Sequence, residues 1–441
     1  MLERLFRLSE NGTNTRRELM AGATTFMAMA YIIFVNPGIL SSPAGAGMDF
    51  RSVMAATCIS SAIATLLMAF LANYPIALAP GMGLNAFFSF TVCGAMGVPW
   101  QIALGIVFIS GVVFTILTVA RVREMIVTAI PNTLKLATAA GIGLFIAFLG
   151  LKDAGIIESD PAAYLTLGDL HRPETMLALF GLAFTAILMA AKIRGGIFWG
   201  IIATGALGIA TGIIRFTGVF APPTLEPTFF RMDPVGAFRW EYLTPIIVFL
   251  FFDMFDTVGT LIGVGEQAGF MVEGKLPRVN RALLSDSVGT MVGASLGTST
   301  TTSYIESAAG VSAGGRTGLA NLMTAGLFIL ALFFSPLAEM FGGGFEIAPG
   351  VFLHPVTAPA LVIVGSMMMK CITRIEWDDY SETIPAFLTV IMMPLTSSIA
   401  HGLAIGFISY PIIKGFSGKA REVHWLVYSL AALFILRYIF I

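Results

Sequence analysis

Long apolar runs separated by short polar stretches fill most of the chain. An α-helix needs about 20 apolar residues to cross about 30 Å of hydrocarbon. Runs of that kind lie near residues 19–40, 52–72, 99–120, 133–150, 175–191 and 197–214. After a polar stretch at 215–242, a second set follows at 243–264, 279–297, 317–336, 355–371, 383–416 and 424–440. The region 383–416 is too long for one crossing, and Pro394 followed by Leu-Thr-Ser-Ser breaks it into a hairpin of two shorter helices. Two further pieces, 76–95 and 298–314, are too interrupted by Gly, Pro, Ser and Thr to be full spans. The pattern predicts an all-α polytopic membrane protein with 14 transmembrane segments, seven on each side of the 215–242 loop. The surplus stretch 424–440 is placed along the membrane face, although a fifteenth crossing fits its length equally well.

Composition agrees: 56% of the 441 residues are hydrophobic and 12% are charged, against about 25% charged in soluble domains. The net charge of −1 leaves no basic excess for a nucleic-acid backbone. Charge placement gives orientation, because Lys and Arg collect in short cytoplasmic loops. Arg4, Arg7, Arg16 and Arg17 put the N-terminus inside, and Arg121, Arg123, Lys192, Arg194, Lys275, Arg278, Arg281, Lys370 and Arg374 then fall on the same side. Residues 152–174 are acidic and 337–354 have no Lys or Arg, as expected outside. The 215–242 loop disagrees, carrying Arg215, Arg231 and Arg239.

The two interrupted pieces occupy the third position of each half. Seven is odd, so the halves form two inverted 7-segment repeats. Paired Gly/Pro-broken segments in an inverted repeat mark the binding site of a secondary transporter. Segments 3 and 10 are each expected to be a short strand plus a half-helix, the β-branched run Thr300-Thr301-Thr302 suiting an extended backbone.

The candidate chemistry is carboxylate. Asp253 and Asp256, spaced i, i+3 on one helix face, and Glu306, directly after the Thr run, lie within apolar segments where each charge costs at least about 2.5 kcal/mol. Asp286 is expected nearer the inner surface as a structural group, with Arg281 and serines close by in sequence. A buried carboxylate takes a proton or finds a donor ligand, and alternating between the two is proton coupling. Cys58, Cys93 and Cys371 have no metal or redox spacing and read as core residues. His171, His354, His401 and His424 show no zinc pattern, and only His401 is kept as a gate candidate. No cofactor is implied, and a membrane-embedded hydrolase lacks its His/Asp or HExxH pair.

Four stretches carry a resemblance: residues 79–88 (Ala-Pro-Gly-Met-Gly-Leu-Asn-Ala-Phe-Phe), 252–260 (Phe-Asp-Met-Phe-Asp-Thr-Val-Gly-Thr), 285–290 (Ser-Asp-Ser-Val-Gly-Thr) and 303–311 (Ser-Tyr-Ile-Glu-Ser-Ala-Ala-Gly-Val). With them, nearly the whole chain resembles the nucleobase:cation symporters of the uracil permease fold, in their AzgA-like hypoxanthine, guanine and adenine branch. The resemblance implies a core domain of segments 1–4 and 8–11 (residues 19–121 and 243–336) and a gate domain of segments 5–7 and 12–14 (122–215 and 337–416). Residues 1–18 would be a cytoplasmic tail, 216–242 an extracytoplasmic loop and 417–441 an interfacial helix, in the plasma (inner) membrane of a bacterium.

The same resemblance implies that Asp253 and Glu306 bind substrate, with Asn85, Asp256, Gly83, Ile305 and Phe252 beside them. Glu306, Asp256 and Asp286 would serve proton coupling or conformational change. Phe87, Phe88 or Phe252 could stack on a purine plane. Ser307 stands where the xanthine and uracil branch has Asn, and Asp253 where that branch has Glu, which favours purines such as hypoxanthine and guanine. The expected partners are a purine nucleobase, H⁺ in preference to Na⁺, the lipid bilayer, and a second copy through the gate domain. The alternatives are an anion transporter or channel of the same fold and a xanthine/uracil-type permease. A guanine edge offers N1–H beside its 2-amino group, a donor pair for one carboxylate, and hypoxanthine keeps N1–H alone.

Overall fold

A computed structural model describes residues 2–120, 130–272, 276–348 and 351–440; Arg121, Arg123 and Lys275, used above for orientation, lie outside them. After a short helical turn at Leu2–Phe6 come α1 (Thr15–Met29), α2 (Ile32–Ser41) and α3 (Phe50–Leu67), whose last turns widen into a π-helix over Met68–Ala72. Strand β1 (Leu78–Pro80) leads into α4 (Met82–Ala86), which continues as a π-helix over Phe87–Ala95. Next come α5 (Trp100–Val119), α6 (Asn132–Asp153), α7 (Pro173–Ala190) and α8 (Gly196–Ala210), with a hairpin of β2 (Ile157–Asp160) and β3 (Tyr164–Leu167) between α6 and α7.

The second half runs through α9 (Leu243–Ala268), α10 (Val279–Leu296), β4 (Thr301–Ser303), α11 (Ser307–Ser312), α12 (Leu319–Ala331) and α13 (Ser335–Gly342). A second hairpin, β5 (Phe345–Ala348) with β6 (Val351–Leu353), precedes α14 (Ala358–Met368), α15 (Tyr380–Leu395), α16 (Ile399–Phe416) and α17 (Trp425–Phe440). Among the described residues, eight helices are long and apolar enough to cross a membrane. The chain is a mostly helical, multi-pass membrane protein. The two hairpins go beyond the expectation, which placed strands only in segments 3 and 10 and read the polar stretches 152–174 and 337–354 as plain loops.

Local chemistry accounts for the helix ends. The side chains of Asn14, Asp49, Asp379 and Ser398 each accept a hydrogen bond from a backbone N–H of the first turn, satisfying donors that a helix N-terminus leaves orphaned. Gly297, at φ 104°, ends α10 in a left-handed turn that a side chain would strain, and it turns the chain toward β4.

Packing joins sequence-distant elements. Helix α10 lies against α3 and α5, α12 against α1 and α3, and α11 against α1. Elsewhere α6 lies against α14 and α15, α7 against α8 and α14, and α15 against α16. Helix α17 packs along α16 through Val427, Leu430, Ala431 and Phe434, all buried. The ring pairs Phe407–Phe434 and His401–Tyr438 run in opposite order along the two helices, which are therefore antiparallel.

Candidate functional site

Two strands meet in the middle of the molecule. β1 and β4 pair antiparallel, Leu78 with Ser303, Ala79 with Thr302 and Pro80 with Thr301, and every residue of both is buried. The ladder extends at each end, Gly81 N donating to Thr300 O at 3.0 Å and Tyr304 N to Ala77 O at 2.9 Å. Extended backbone in hydrocarbon survives only where its polar groups are satisfied by protein, and side chains complete that here. Thr65 Oγ1 accepts from Leu78 N (3.0 Å) and lies 3.1 Å from Leu78 O, and Ser307 Oγ accepts from Ala77 N (3.0 Å). Asn321 Nδ2 lies 2.8 to 3.3 Å from the carbonyls of Ile76, Tyr74 and Thr65. The Tyr304 hydroxyl donates to Pro80 O at 2.5 Å.

The carboxylates of α9 and α10 gather against β4. Asp253 is 1% exposed; Thr290 Oγ1 lies 3.1 Å from its Oδ2, and its Oδ1 has no hydrogen-bond partner among the described residues. Asp286, fully buried, accepts on Oδ1 from Thr257 (2.6 Å) and Ser303 (3.4 Å), and its Oδ2 has no partner among those residues. Thr257 Oγ1 is also 2.8 Å from Thr302 Oγ1, which lies 3.5 Å from Asp256 Oδ2. A continuous run of hydroxyls thus links Asp256 to Asp286, and the Asp286 carboxyl lies against that of Asp253. Asp286 therefore belongs to the central cluster, not to the inner surface beside Arg281. Its i, i+4 spacing from Thr290 puts both on the face of α10 that meets β4.

Glu306 stands at the N-terminal end of α11, half-exposed, its Oε1 accepting from the Tyr31 hydroxyl at 2.5 Å. Asp256 and Ile305 beside it are exposed, so this side of the cluster opens to space outside the packed interior. Asn85, fully buried, accepts on Oδ1 from Ser299 (2.6 Å), and its Nδ2 has no partner among the described residues. Gly83 lies where a Cβ would meet Ile142 of α6 and Phe252, so the absence of a side chain lets α4 approach both. An amide donor and carboxylate acceptors, buried and partly unsatisfied, are what a planar polar heterocycle complements.

Phe87 and Phe88 are core side chains, not stacking surfaces: both are buried, with Phe87 edge-on to Phe249 at 5.0 Å. Phe252 is 7% exposed and touches the Gly83 position. His401 lies 5.9 Å from the Tyr438 ring of α17, away from the cluster. Cys58 and Cys93 are buried and Cys371 is half-buried, all three as free thiols. Among the described residues, no group of three or more His, Cys, Asp or Glu side chains is placed to hold a metal ion. Sequence reasoning missed Tyr31, Thr257, Thr290, Ser299, Thr302 and Ser303, the hydroxyl donors of the cluster. For all of them but Tyr31, which left no signal, the only signal is position, on the faces that also carry the carboxylates or within the Thr/Ser run.

A family model described as a permease family, Xan_ur_permease, matches residues 16–405. The chain belongs to that family. The permease is 54% identical to a putative permease of Methanocaldococcus jannaschii, over 100% of this chain and 98% of the other. It is 47% identical to the guanine/hypoxanthine permease PbuG of Bacillus subtilis over the full length of both, and 42% identical to the adenine permease AdeP of Escherichia coli over 100% and 96%. Among solved structures, the transmembrane domain of the cyanobacterial bicarbonate transporter BicA superposes with a TM-score of 0.62 at 15% identity, covering 88% of the permease and 96% of that chain. The structure of SLC26A9 superposes at 0.60 with 12% identity, covering 91% and 65%. At such identities the likeness is one of fold. The protein is a membrane permease, not an enzyme.

Proposed function

We propose that the permease imports purine nucleobases such as hypoxanthine and guanine, with adenine a further candidate, by proton-coupled symport and alternating access. The carrying observation is full-length similarity at 42% to 47% to permeases named for guanine/hypoxanthine and adenine. The acidic cluster fits that reading. Asp253 Oδ1 and the open face of Glu306 accept ring N–H groups, and Asn85 Nδ2 donates to a ring nitrogen or carbonyl. Gly83, Phe252 and Ile305 shape the walls. Glu306, Asp256 and Asp286 carry or relay the proton, because a carboxyl in a closed, desolvated site binds a neutral base with one protonation state and releases it with the other. The same acids disfavour an anionic substrate, so the fold shared with BicA and SLC26A9 does not bring an anion cargo with it.

The moving parts follow from packing. Fourteen segments as two inverted repeats give a core unit of α1 to α5 with α9 to α13, and a gate unit of α6 to α8 with α14 to α16. The contacts of α10 with α3 and α5, and of α6 with α14 and α15, support that division. Residues 417–441 add α17 to the gate unit, whose outer face is also the surface for a homodimer. The N-terminus is cytoplasmic.

Reconstitution tests the reading. Proteoliposomes with an inward-directed proton gradient are expected to accumulate labelled hypoxanthine, with guanine and adenine competing and xanthine and uracil not. Uptake that ignores a proton gradient and follows a Na⁺ gradient would overturn the coupling ion, and uptake of no purine would overturn the function.

A further inference from the structure

Four oxygens stand in file through the middle of the cluster. Asp256 Oδ2 is 3.5 Å from Thr302 Oγ1, which is 2.8 Å from Thr257 Oγ1, which is 2.6 Å from Asp286 Oδ1. The file begins at an exposed carboxyl and ends at a fully buried one, and both threonines between them are closed to solvent. Asp256 and Thr257 are neighbours on α9 that point to different faces, and Thr302 of β4 bridges them. Ser303 adds a second donor to Asp286 Oδ1 at 3.4 Å. The two tyrosines nearby are engaged elsewhere, Tyr31 on Glu306 and Tyr304 on Pro80 O.

The number of hydrogens limits what the file can carry. Three links join the four oxygens, and each threonine supplies one proton while its lone pairs accept. With both carboxyls ionised, two protons fill two links and the third stays empty. The lengths agree, because the two inner links are of bonded length and the outer one, at 3.5 Å, is not. One added proton fills all three in either of two ways. It sits on Asp256 with every bond pointing toward Asp286, or on Asp286 with every bond pointing toward Asp256.

We propose that Thr302 and Thr257 relay the coupling proton between Asp256 on the open flank and the buried Asp286. The inference rests on the proton-coupled reading above and adds to it the path and the residues that make it. The proton on Asp256 Oδ2 passes to Thr302 Oγ1 as that hydroxyl's own proton passes to Thr257 Oγ1, and the proton of Thr257 passes to Asp286 Oδ1. Each hydroxyl breaks one O–H bond and forms one, leaving Asp256 ionised and Asp286 neutral. The outer link must shorten by about 0.7 Å to reach the usual hydroxyl–carboxylate length, a small shift for an exposed side chain. Arrival at Asp286 removes one of two like charges in contact, since its carboxyl lies against that of Asp253. Asp253 then stays ionised and accepts an N–H of the base. Proton and base thereby favour one another although different side chains hold them.

Two rates in proteoliposomes test the relay. One is uptake of labelled hypoxanthine driven by an inward-directed proton gradient, with proton entry followed by a lumenal pH dye. The other is counterflow, the exchange of labelled for unlabelled hypoxanthine at equal pH. In counterflow the carrier crosses loaded and protonated in both directions, so no proton has to travel the relay in each cycle. Thr257→Val keeps the branched shape and removes the hydroxyl. Its ratio of driven uptake to counterflow is expected to fall by about tenfold or more, with proton entry falling alongside. Thr257→Ser restores the hydroxyl and is expected to bring the ratio back to within about threefold of the parent's. A Thr257→Val ratio within about threefold of the parent's overturns the proposal, because a purely structural hydroxyl weakens both rates alike. Should Thr257→Val not assemble, Thr302→Val, which leaves Asp286 its Thr257 and Ser303 donors, is decided by the same ratio. Parent uptake that ignores a proton gradient overturns the proton-coupled reading itself, a result distinct from an unmoved ratio in a variant of a proton-driven parent.

Discussion

Asp253 has one oxygen engaged by Thr290 and the other facing no protein donor, although the side chain is almost wholly buried. An acceptor left in that condition is destabilising unless a ligand or a proton completes it. In Asp253→Asn the acceptor becomes part donor, and the apparent affinity for hypoxanthine is expected to fall by about 10- to 100-fold, the range for a hydrogen bond to a charged group. Binding measured by scintillation proximity checks this; unchanged affinity would remove Asp253 from the site. The carboxylates were legible in the sequence because a charge in an apolar segment is conspicuous at any fold. Asp286 was misjudged for the same reason that it was noticed. Its sequence neighbours Arg281 and Ser285 suggested a surface setting, whereas its spatial neighbours Thr257 and Ser303 come from other elements. Tyr31 left no trace, since one Tyr in an apolar run looks like packing until the partner 275 residues away is known.

At the scale of elements, the two interrupted segments stood out by their Gly, Pro and Thr content, and the helices by their length and apolarity. Their mutual pairing did not, because the register of Leu78–Pro80 with Thr301–Ser303 depends on packing between the halves. The hairpins β2/β3 and β5/β6 were hidden for a different reason: short polar strands at a helix end lack any buried alternation to betray them. Asn321 of α12 supports the β1 approach by its amide lying within hydrogen-bond reach of three carbonyls. Asn321→Leu leaves those buried acceptors unpaired, and a loss of about 1 to 3 kcal/mol is expected, read as a lower melting temperature in detergent together with reduced uptake.

A second element-level prediction concerns the end of α15. Asp379 caps that helix and accepts from Lys419 Nζ at 2.6 Å, with Ser381 N and Oγ at 2.9 and 2.8 Å. The Lys419 hydrogen bond is the largest cause holding this carboxyl below the usual carboxylate range. A depressed folded-state value contributes stability that is full above about pH 4, the unfolded value, and is lost as pH falls through the lower folded value. Lys419→Met lifts the folded value back toward the unfolded one, so this contribution shrinks at neutral pH and disappears earlier on acidification. The variant is expected to melt lower than the parent at pH 7 and to lose less between pH 4 and pH 3, so that the two profiles converge on acidification; profiles that superimpose, or that stay a constant distance apart, would refute it.

For the whole molecule, the proposed division into two moving units makes a sharp demand on the place where they would touch. A Cβ added at Gly83 of α4 would lie 3.8 Å from Ile142 Cβ of α6, which matches the Cβ separation of about 3.8 Å in a disulfide. The pair Gly83→Cys and Ile142→Cys is expected to cross-link on oxidation, to stop uptake, and to recover it on reduction. Uptake undiminished by a complete cross-link would show that α4 and α6 do not separate during transport. The overall class of the molecule was legible from apolar length alone. The contact between α4 and α6 was not, because it depends on a glycine whose value lies in what it lacks.

The β1 and β4 pairing also bears on how the protein is made. Leu78–Pro80 emerges from the ribosome more than 200 residues before Thr301–Ser303, its partner. Until the second half is inserted, the strand's N–H and C=O groups face the bilayer interior or the translocation machinery without their ladder. The first half is thus an obligate intermediate and not a separable module. Ribosomes paused after α8 are expected to hold a chain that membrane-bound quality control recognises and degrades, and co-expression of residues 242–441 as a separate polypeptide is the condition under which that fragment survives.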